Sequence, residues 1–241
     1  MSIPLRGVLV DVDDTLLTTR AAMSRAAATA FAELWPSVDP DRALLAGQRF
    51  RADPEGYFRA FTRGELDFAT MRTRRVEAAA RFLGHDVPDG ARDRFHAAYE
   101  PVFQRLLRAY DDAVPLLHRV TGAGLALGAL TNSGRDYTAG KLAAAGLDRL
   151  LPVVVTRDTL GFGKPDPRVF EHACSELGTR PGETVYVGDE YDVDVLGALG
   201  AGVRAVWLAR DEPDPALLAD ARARDVPVVS GLDELPARLG F

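Results

Sequence analysis

Short runs of Val, Leu and Ala recur along the chain, and the first stands apart from the others. Gly7–Val10 is followed, only after a long interval, by Leu125–Leu130, Val153–Val155, Thr184–Val187, Ala205–Leu208 and Val226–Val229. Apolar runs this short read as buried strands. Their lack of strict alternation suits a parallel sheet covered on both faces. From Leu125 onward they alternate with helix-like segments such as Asp136–Ala145 and Arg168–Leu177. Strand-helix alternation predicts a doubly wound, Rossmann-like α/β domain. In such sheets ligands bind outside the carboxyl ends of the strands.

The interval from about Thr19 to Tyr110 is dense in Ala, Arg, Leu, Phe and Glu and holds little that reads as a strand. Phe68, Met71, Arg75, Ala79, Phe82 and Leu83 sit near helical spacing and end at Gly84, a natural C-cap. A second helix is expected over Ala91–Leu107, with Pro101 as a break or kink. The predicted organisation is an α/β core of residues 1–18 and 111–241 with an α-helical domain, 19–110, inserted after the first strand.

Strand one ends in carboxylates: Asp11, Asp13 and Asp14 fall within four positions. Asp11 and Asp13, two apart, leave a strand end in roughly the same direction. Like charges that close repel unless a cation neutralises them or one takes a proton. An Asp-rich turn is the plain alternative. A calcium loop is ruled out, because Leu16 stands where its Gly belongs and Ala22 where its Glu belongs. One carboxylate can attack phosphorus and divide a hard displacement into two easier ones. A second can protonate the leaving alkoxide and later deprotonate the attacking water. Asp11 fits the first role and Asp13 the second.

Three further elements follow in order. Leu125–Leu130 leads into Thr131-Asn132-Ser133-Gly134, where a hydroxyl and backbone N–H groups just before a helix could cradle phosphate. Alone, such turn formers mark only a loop. Lys164 lies in Gly161-Phe162-Gly163-Lys164-Pro165-Asp166-Pro167, flanked by glycines that admit a ligand and a proline that restricts it. Finally Thr184–Val187 runs into Gly188-Asp189-Glu190-Tyr191-Asp192-Val193-Asp194. Hard oxygen ligands from two strand ends suit Mg²⁺, which would reconcile so many acids with a phosphate monoester.

Bulk properties narrow the partners. A net charge of −6 and a pI near 5.3 argue against nucleic acid. They leave room for a small anion, since a metal and local cations can reverse the sign within one pocket. Cys174 is the single cysteine, so no internal disulfide forms, and its place in an amphipathic helix reads as a buried structural thiol. No signal-peptide pattern and no apolar run near the roughly 20 residues of a membrane span are evident. A cytoplasmic enzyme with no membrane partner is expected.

Taken together, these segments resemble the haloacid dehalogenase superfamily of hydrolases over essentially the whole length. Asp11-Val12-Asp13-Asp14-Thr15-Leu16 is similar to its first motif and Thr131-Asn132-Ser133 to its second. Lys164-Pro165-Asp166-Pro167 resembles the third, and Gly188-Asp189 through Asp194-Val195-Leu196-Gly197-Ala198 the fourth. The resemblance implies that Asp11 is the nucleophile and Asp13 the general acid/base. It implies that Thr131 and Lys164 bind the transferring phosphoryl group with Asn132 beside it. Mg²⁺ would be held by Asp11, the Asp13 carbonyl and Asp189, with Asp194 supporting it directly or through water. Glu190 stands where Ser is common.

The helical insert resembles the cap type that closes over small substrates. An acid at position 13 is the pattern of the superfamily's phosphatases rather than its dehalogenases. Arg63-Gly64-Glu65-Leu66 followed by Arg75 is similar to caps of pyrimidine nucleotidases and acylneuraminate phosphatases. Arg75, beside Arg72 and Arg74, otherwise reads as a solvated charge. His85, His96, His118 and His172 fall outside every motif and read as structural or surface residues, while Tyr57, Phe58, Phe61 and Phe68 either line the insert's side of the pocket or, for most of them, pack its core. The expected activity is Mg²⁺-dependent hydrolysis of a small phosphorylated metabolite: a nucleoside monophosphate, a sugar phosphate or phosphoglycolate. The alternatives are a phosphomutase of the β-phosphoglucomutase type and a phosphate-binding protein without turnover.

Overall fold

The first strand, β1 (Gly7–Val10), is buried along its whole length. In the computed structural model, which describes residues 4–241, the chain then leaves the sheet for five helices. These are α1 (Thr19–Leu34), α2 (Pro40–Ala52), α3 (Tyr57–Thr62), α4 (Phe68–Leu83) and α5 (Ala91–Leu106). It returns through α6 (Ala113–Gly122), β2 (Ala126–Thr131), α7 (Arg135–Ala144), β3 (Val153–Thr156), α8 (Arg157–Leu160) and α9 (Pro167–Glu176). It finishes with β4 (Thr184–Gly188), α10 (Leu196–Gly200), β5 (Arg204–Leu208), α11 (Pro215–Ala223), β6 (Val228–Val229) and α12 (Leu235–Leu239). Two compact units result: Thr18–Arg108, and the residues on either side of it. Among the described residues no helix is long and apolar enough to cross a membrane.

All strand pairs are parallel, in the order β3-β2-β1-β4-β5-β6. The order reverses at β1, which pairs with β2 on one side and β4 on the other. In doubly wound sheets the crevice at that reversal is where ligands sit, and it is where the acidic segments after β1 and β4 emerge. Leu9, Leu130, Tyr186, Phe170 and Trp207 belong to the core packed on one sheet face. Cys174 is buried there as well, and burial pushes its thiol above the usual range. The last strand is shorter than Val226–Val229. It sits at the sheet edge, and Pro227 has no N–H to offer the ladder, although its carbonyl accepts from the Trp207 N–H at 2.9 Å.

The helical unit is built around rings. Phe31 lies 5.1 Å from Phe95 and 5.8 Å from Phe50, and Phe95, Tyr99 and Phe103 stack in series at 5.3 Å. These positions come one turn apart on α5, and the helix runs on through Pro101 rather than breaking there. A helix whose aromatic face is packed this thoroughly tolerates the backbone bond that proline removes. Phe61 is buried with Phe58 and Phe68 each 5.9 Å away. His85 stacks on Trp35 at 5.9 Å, while His96 and His118 are exposed.

The expectation of a solvated Arg75 is wrong. Arg72 and Arg75 are both buried. Arg72 sits over the Phe50, Phe68, Phe95 and Tyr99 rings, with centroids 5.0–5.9 Å away. Arg75 lies over Phe50 at 4.1 Å, donates to the Phe50 carbonyl and approaches Asp53 at 3.6 Å. The Arg run puts these two on the apolar side of α4, where aromatic faces substitute for water.

Helices α1 and α2 meet without side chains at Gly47. A Cβ there would lie 2.2 Å from the Ser24 carbonyl oxygen and 3.0 Å from the Ala28 nitrogen, both backbone atoms. Gly47→Ala should force the helices apart and cost about 1–3 kcal/mol, the range for overpacking. A lowered urea midpoint for unfolding of the variant checks it.

Candidate active site

Asp11 extends β1 by one residue: its N–H donates to the Val187 carbonyl at 2.8 Å, so the backbone at the strand tip is tied to β4. The chain then turns sharply. Asp14 adopts φ 59°, a left-handed conformation that Asp tolerates better than most residues, and its N–H donates to the Leu17 carbonyl at 2.8 Å. Arg210, two residues beyond β5, braces this turn, donating to the Thr15 carbonyl at 2.8 Å and gripping both Asp112 oxygens at 2.9 Å.

Two ammonium groups divide the two carboxylates of the strand tip. Lys164 Nζ lies 2.6 Å from Asp11 Oδ1, 2.7 Å from Asp194 Oδ1 and 2.7 Å from the Tyr186 hydroxyl oxygen. Tyr186 in turn donates to the Leu130 carbonyl at 2.9 Å. Asp13 faces elsewhere: Lys141 Nζ is 2.6 Å from each of its oxygens, and the Ser133 hydroxyl donates to Oδ2 at 3.0 Å.

Asn132 holds the Lys164 backbone like a neighbouring strand. Its Oδ1 accepts from the Lys164 N–H at 2.7 Å and its Nδ2 donates to the Lys164 carbonyl at 2.9 Å. Thr131 is buried at the end of β2, and its hydroxyl oxygen accepts from the Ser133 N–H at 3.2 Å. The turn after β4 closes on Asp194, whose Oδ2 accepts from the Glu190 N–H at 3.0 Å. Gly188 makes that closure possible, since a Cβ there would come within 2.3 Å of Asp194 Oδ2. Asp189 is half-buried; its carbonyl accepts from Trp207 Nε1 at 3.0 Å, and its Oδ1 lies 3.5 Å from the Thr15 hydroxyl.

Electrostatics at this tip are unbalanced. Burial pushes the Asp11 carboxyl from 3.8 up to about 8, Asp194 and Asp13 add to the rise, and Lys164 opposes it without prevailing. Burial alone would lower the Lys164 ammonium, but Asp11 and Asp194 together hold it above its usual range. The partners fare unequally because one cation serves two anions: Lys164 gains from both, while Asp11 meets one ammonium and a rival carboxylate. Tyr186 is likewise raised, by burial and then by Asp194 and Asp11. One carboxylate oxygen each from Asp11, Asp189 and Asp194 lies within 4.8 Å of the others, a set that could hold a metal ion. All-oxygen donors with surplus negative charge suit a hard divalent cation.

A description of haloacid dehalogenase-like hydrolases matches residues 5–202. The chain belongs to that family. A glyceraldehyde 3-phosphate phosphatase of Methanopyrus kandleri is 29% identical over 86% of this chain and 84% of its own. An (S)-2-haloacid dehalogenase of Burkholderia cepacia is 29% identical over 81% of this chain and 80% of its own. Among solved structures, a dehalogenase with an intermediate complex superposes with a TM-score of 0.76 at 26% identity, covering all of both chains. The relatives of this hydrolase thus include both phosphatases and dehalogenases.

In this haloacid dehalogenase-like hydrolase, Asp11, Lys164, Asp189 and Asp194 converge on one sheet end, and Asn132 braces Lys164. Asp13 is paired with Lys141 instead of Lys164. Lys141, Ser133 and Tyr186 escaped the reading of the sequence as site side chains. For Tyr186 a signal exists, a hydroxyl inside an otherwise apolar strand. A lone Lys on a helix carries none.

Proposed function

We propose that this hydrolase is a phosphatase that transfers the phosphoryl group of a small phosphorylated metabolite to Asp11 and then to water. The carrying observation is the second carboxylate, Asp13, held by Lys141 and Ser133 two residues beyond the buried Asp11. An Asp11 oxygen attacks phosphorus as the ester P–O bond breaks, and Asp13 gives a proton to the departing alkoxide. Asp13 then takes a proton from water, whose oxygen attacks the same phosphorus, releasing inorganic phosphate and restoring the Asp11 carboxylate. Lys164 keeps its charge throughout, and it orients Asp11 and offsets negative charge on the phosphoryl oxygens. Thr131 and the backbone N–H groups of its turn would complete the phosphate cradle.

Mg²⁺ fits the donors present. Asp11 and Asp189, the Asp13 carbonyl, and Asp194 directly or through water would hold it, and it would supply charge compensation for the acids and polarisation of phosphoryl oxygen. EDTA should abolish phosphate release and added Mg²⁺ restore it. Binding at 100 times its Kd stabilises a fold by about 2.7 kcal/mol, so Mg²⁺ should raise Tm by several degrees. Asp189→Asn should remove most of that rise, as read by calorimetry without any substrate.

A second reading, carbon–halogen cleavage, is favoured by the dehalogenase relatives. Halide departs as an anion and needs no proton, so an acid/base carboxyl at position 13 would have no part in that step. Phosphate release from a panel of phosphorylated metabolites, run beside chloride release from (S)-2-chloropropionate, decides between them. Chloride release without phosphate release would overturn the phosphatase reading.

A further inference from the structure

Lys141 lies in α7 and is only 2% exposed. Burying an ammonium costs several kcal/mol unless its hydrogens are well used, and here they are spent on one carboxylate and its neighbour. Nζ is 2.6 Å from both Asp13 oxygens and 2.9 Å from Ser133 Oγ, while the Tyr137 ring lies 5.3 Å away. Ser133 closes the triangle by donating to Asp13 Oδ2 at 3.0 Å. A carboxylate touched on both oxygens by one cation, and on one of them by a hydroxyl as well, cannot swing about its Cβ–Cγ bond.

We propose that Lys141, with Ser133, is the positioning residue of Asp13: it fixes the carboxylate for the step in which water attacks phosphorylated Asp11. The assignment rests on the phosphatase reading. In that step Asp13 accepts the proton that water loses as its oxygen bonds to phosphorus and the Asp11 oxygen leaves. Water is a small nucleophile with no binding groups of its own, so its alignment depends on the base that holds it. Misplacing such a group by about 1 Å can cost on the order of 10²-fold in rate.

The test uses the full chain with Mg²⁺ and ³²P-labelled p-nitrophenyl phosphate, whose leaving group departs without a proton and so leaves the second step exposed. Lys141→Met should lower kcat by about 10–100-fold, lower KM with it, and raise the acid-trapped fraction of labelled enzyme at steady state. Ser133→Ala, a milder change at a half-buried site, should move all three in the same direction by less. Lys141→Arg should recover part of kcat. A loss of kcat with no rise in trapped label in either variant would overturn the proposal, since a merely loosened fold slows both steps. Unchanged kcat in Lys141→Met would overturn it too. Asp13→Asn is the control for the reading itself: if neither it nor the wild type traps label while phosphate is released, the covalent route fails, and the assigned step fails with it.

Discussion

Asp11→Asn should lower phosphate release by roughly 10⁴-fold or more in kcat, the scale on which removal of a covalent nucleophile is felt, while leaving the protein as stable or more stable. The activity half follows from chemistry, because an amide cannot donate the electron pair that the carboxylate gives to phosphorus. The stability half follows from the carboxyl's position, raised to about 8 in the folded chain from an ordinary 3.8. Between those values the folded protein holds a proton that the unfolded chain has released. The stability that Asp11 contributes is therefore complete below about pH 4 and drains away as pH climbs through 8. An amide has no such slope. In metal-free protein the Tm advantage of Asp11→Asn should widen from pH 5 to pH 8.5, and a gap that stays constant or narrows would contradict the burial argument.

Removing the cation instead of the anion should have the opposite result. Lys164→Met leaves Asp11 and Asp194 facing each other beneath the sheet end, both buried, where the ammonium now lies 2.6 and 2.7 Å from them. Breaking a buried pair from one side typically costs 3–5 kcal/mol, and here two carboxylates lose the cation they share. Tyr186 donates to the Leu130 carbonyl at 2.9 Å with Asp194 Oδ1 3.3 Å away, and a neutral hydroxyl does not replace the lost charge. The loss should be greatest at high pH, where Asp11 is ionised, and smaller near pH 5, where it holds a proton. Urea titrations at the two pH values measure it. Phosphate release should disappear as well, so Lys164→Met loses activity and stability together where Asp11→Asn separates them.

The contrast explains what could be read in advance. Strand runs, their order of appearance and the acidic ends of β1 and β4 are written locally, in residue type and spacing. The β1 and β4 acids are therefore legible before any folding is known. Lys164 is visible because glycines and prolines mark its turn. Lys141 is not, because what makes it special is a carboxylate 128 positions away. Arg72 and Arg75 fail for the same reason: three arginines in four positions look like a wet helix face. Only the rings of Phe50, Phe95 and Tyr99, brought from other helices, turn that face inward. Pro101 stands inside α5 without ending it, its local backbone cost outweighed by the stacked rings on either side.

The helical unit begins and ends at one seam. The Thr18 N–H donates to the Arg108 carbonyl at 2.9 Å, the Thr18 hydroxyl lies 3.3 Å from the same oxygen, and Leu17 bridges Ala109 just inside. Because departure and return are zipped together, the intervening ninety or so residues form a loop whose closure entropy grows only slowly with its length. A segment of another size could be spliced between those two residues without disturbing the strands. Exchanging the segment between Thr18 and Arg108 is thus the natural route for rebuilding this hydrolase around an unchanged sheet.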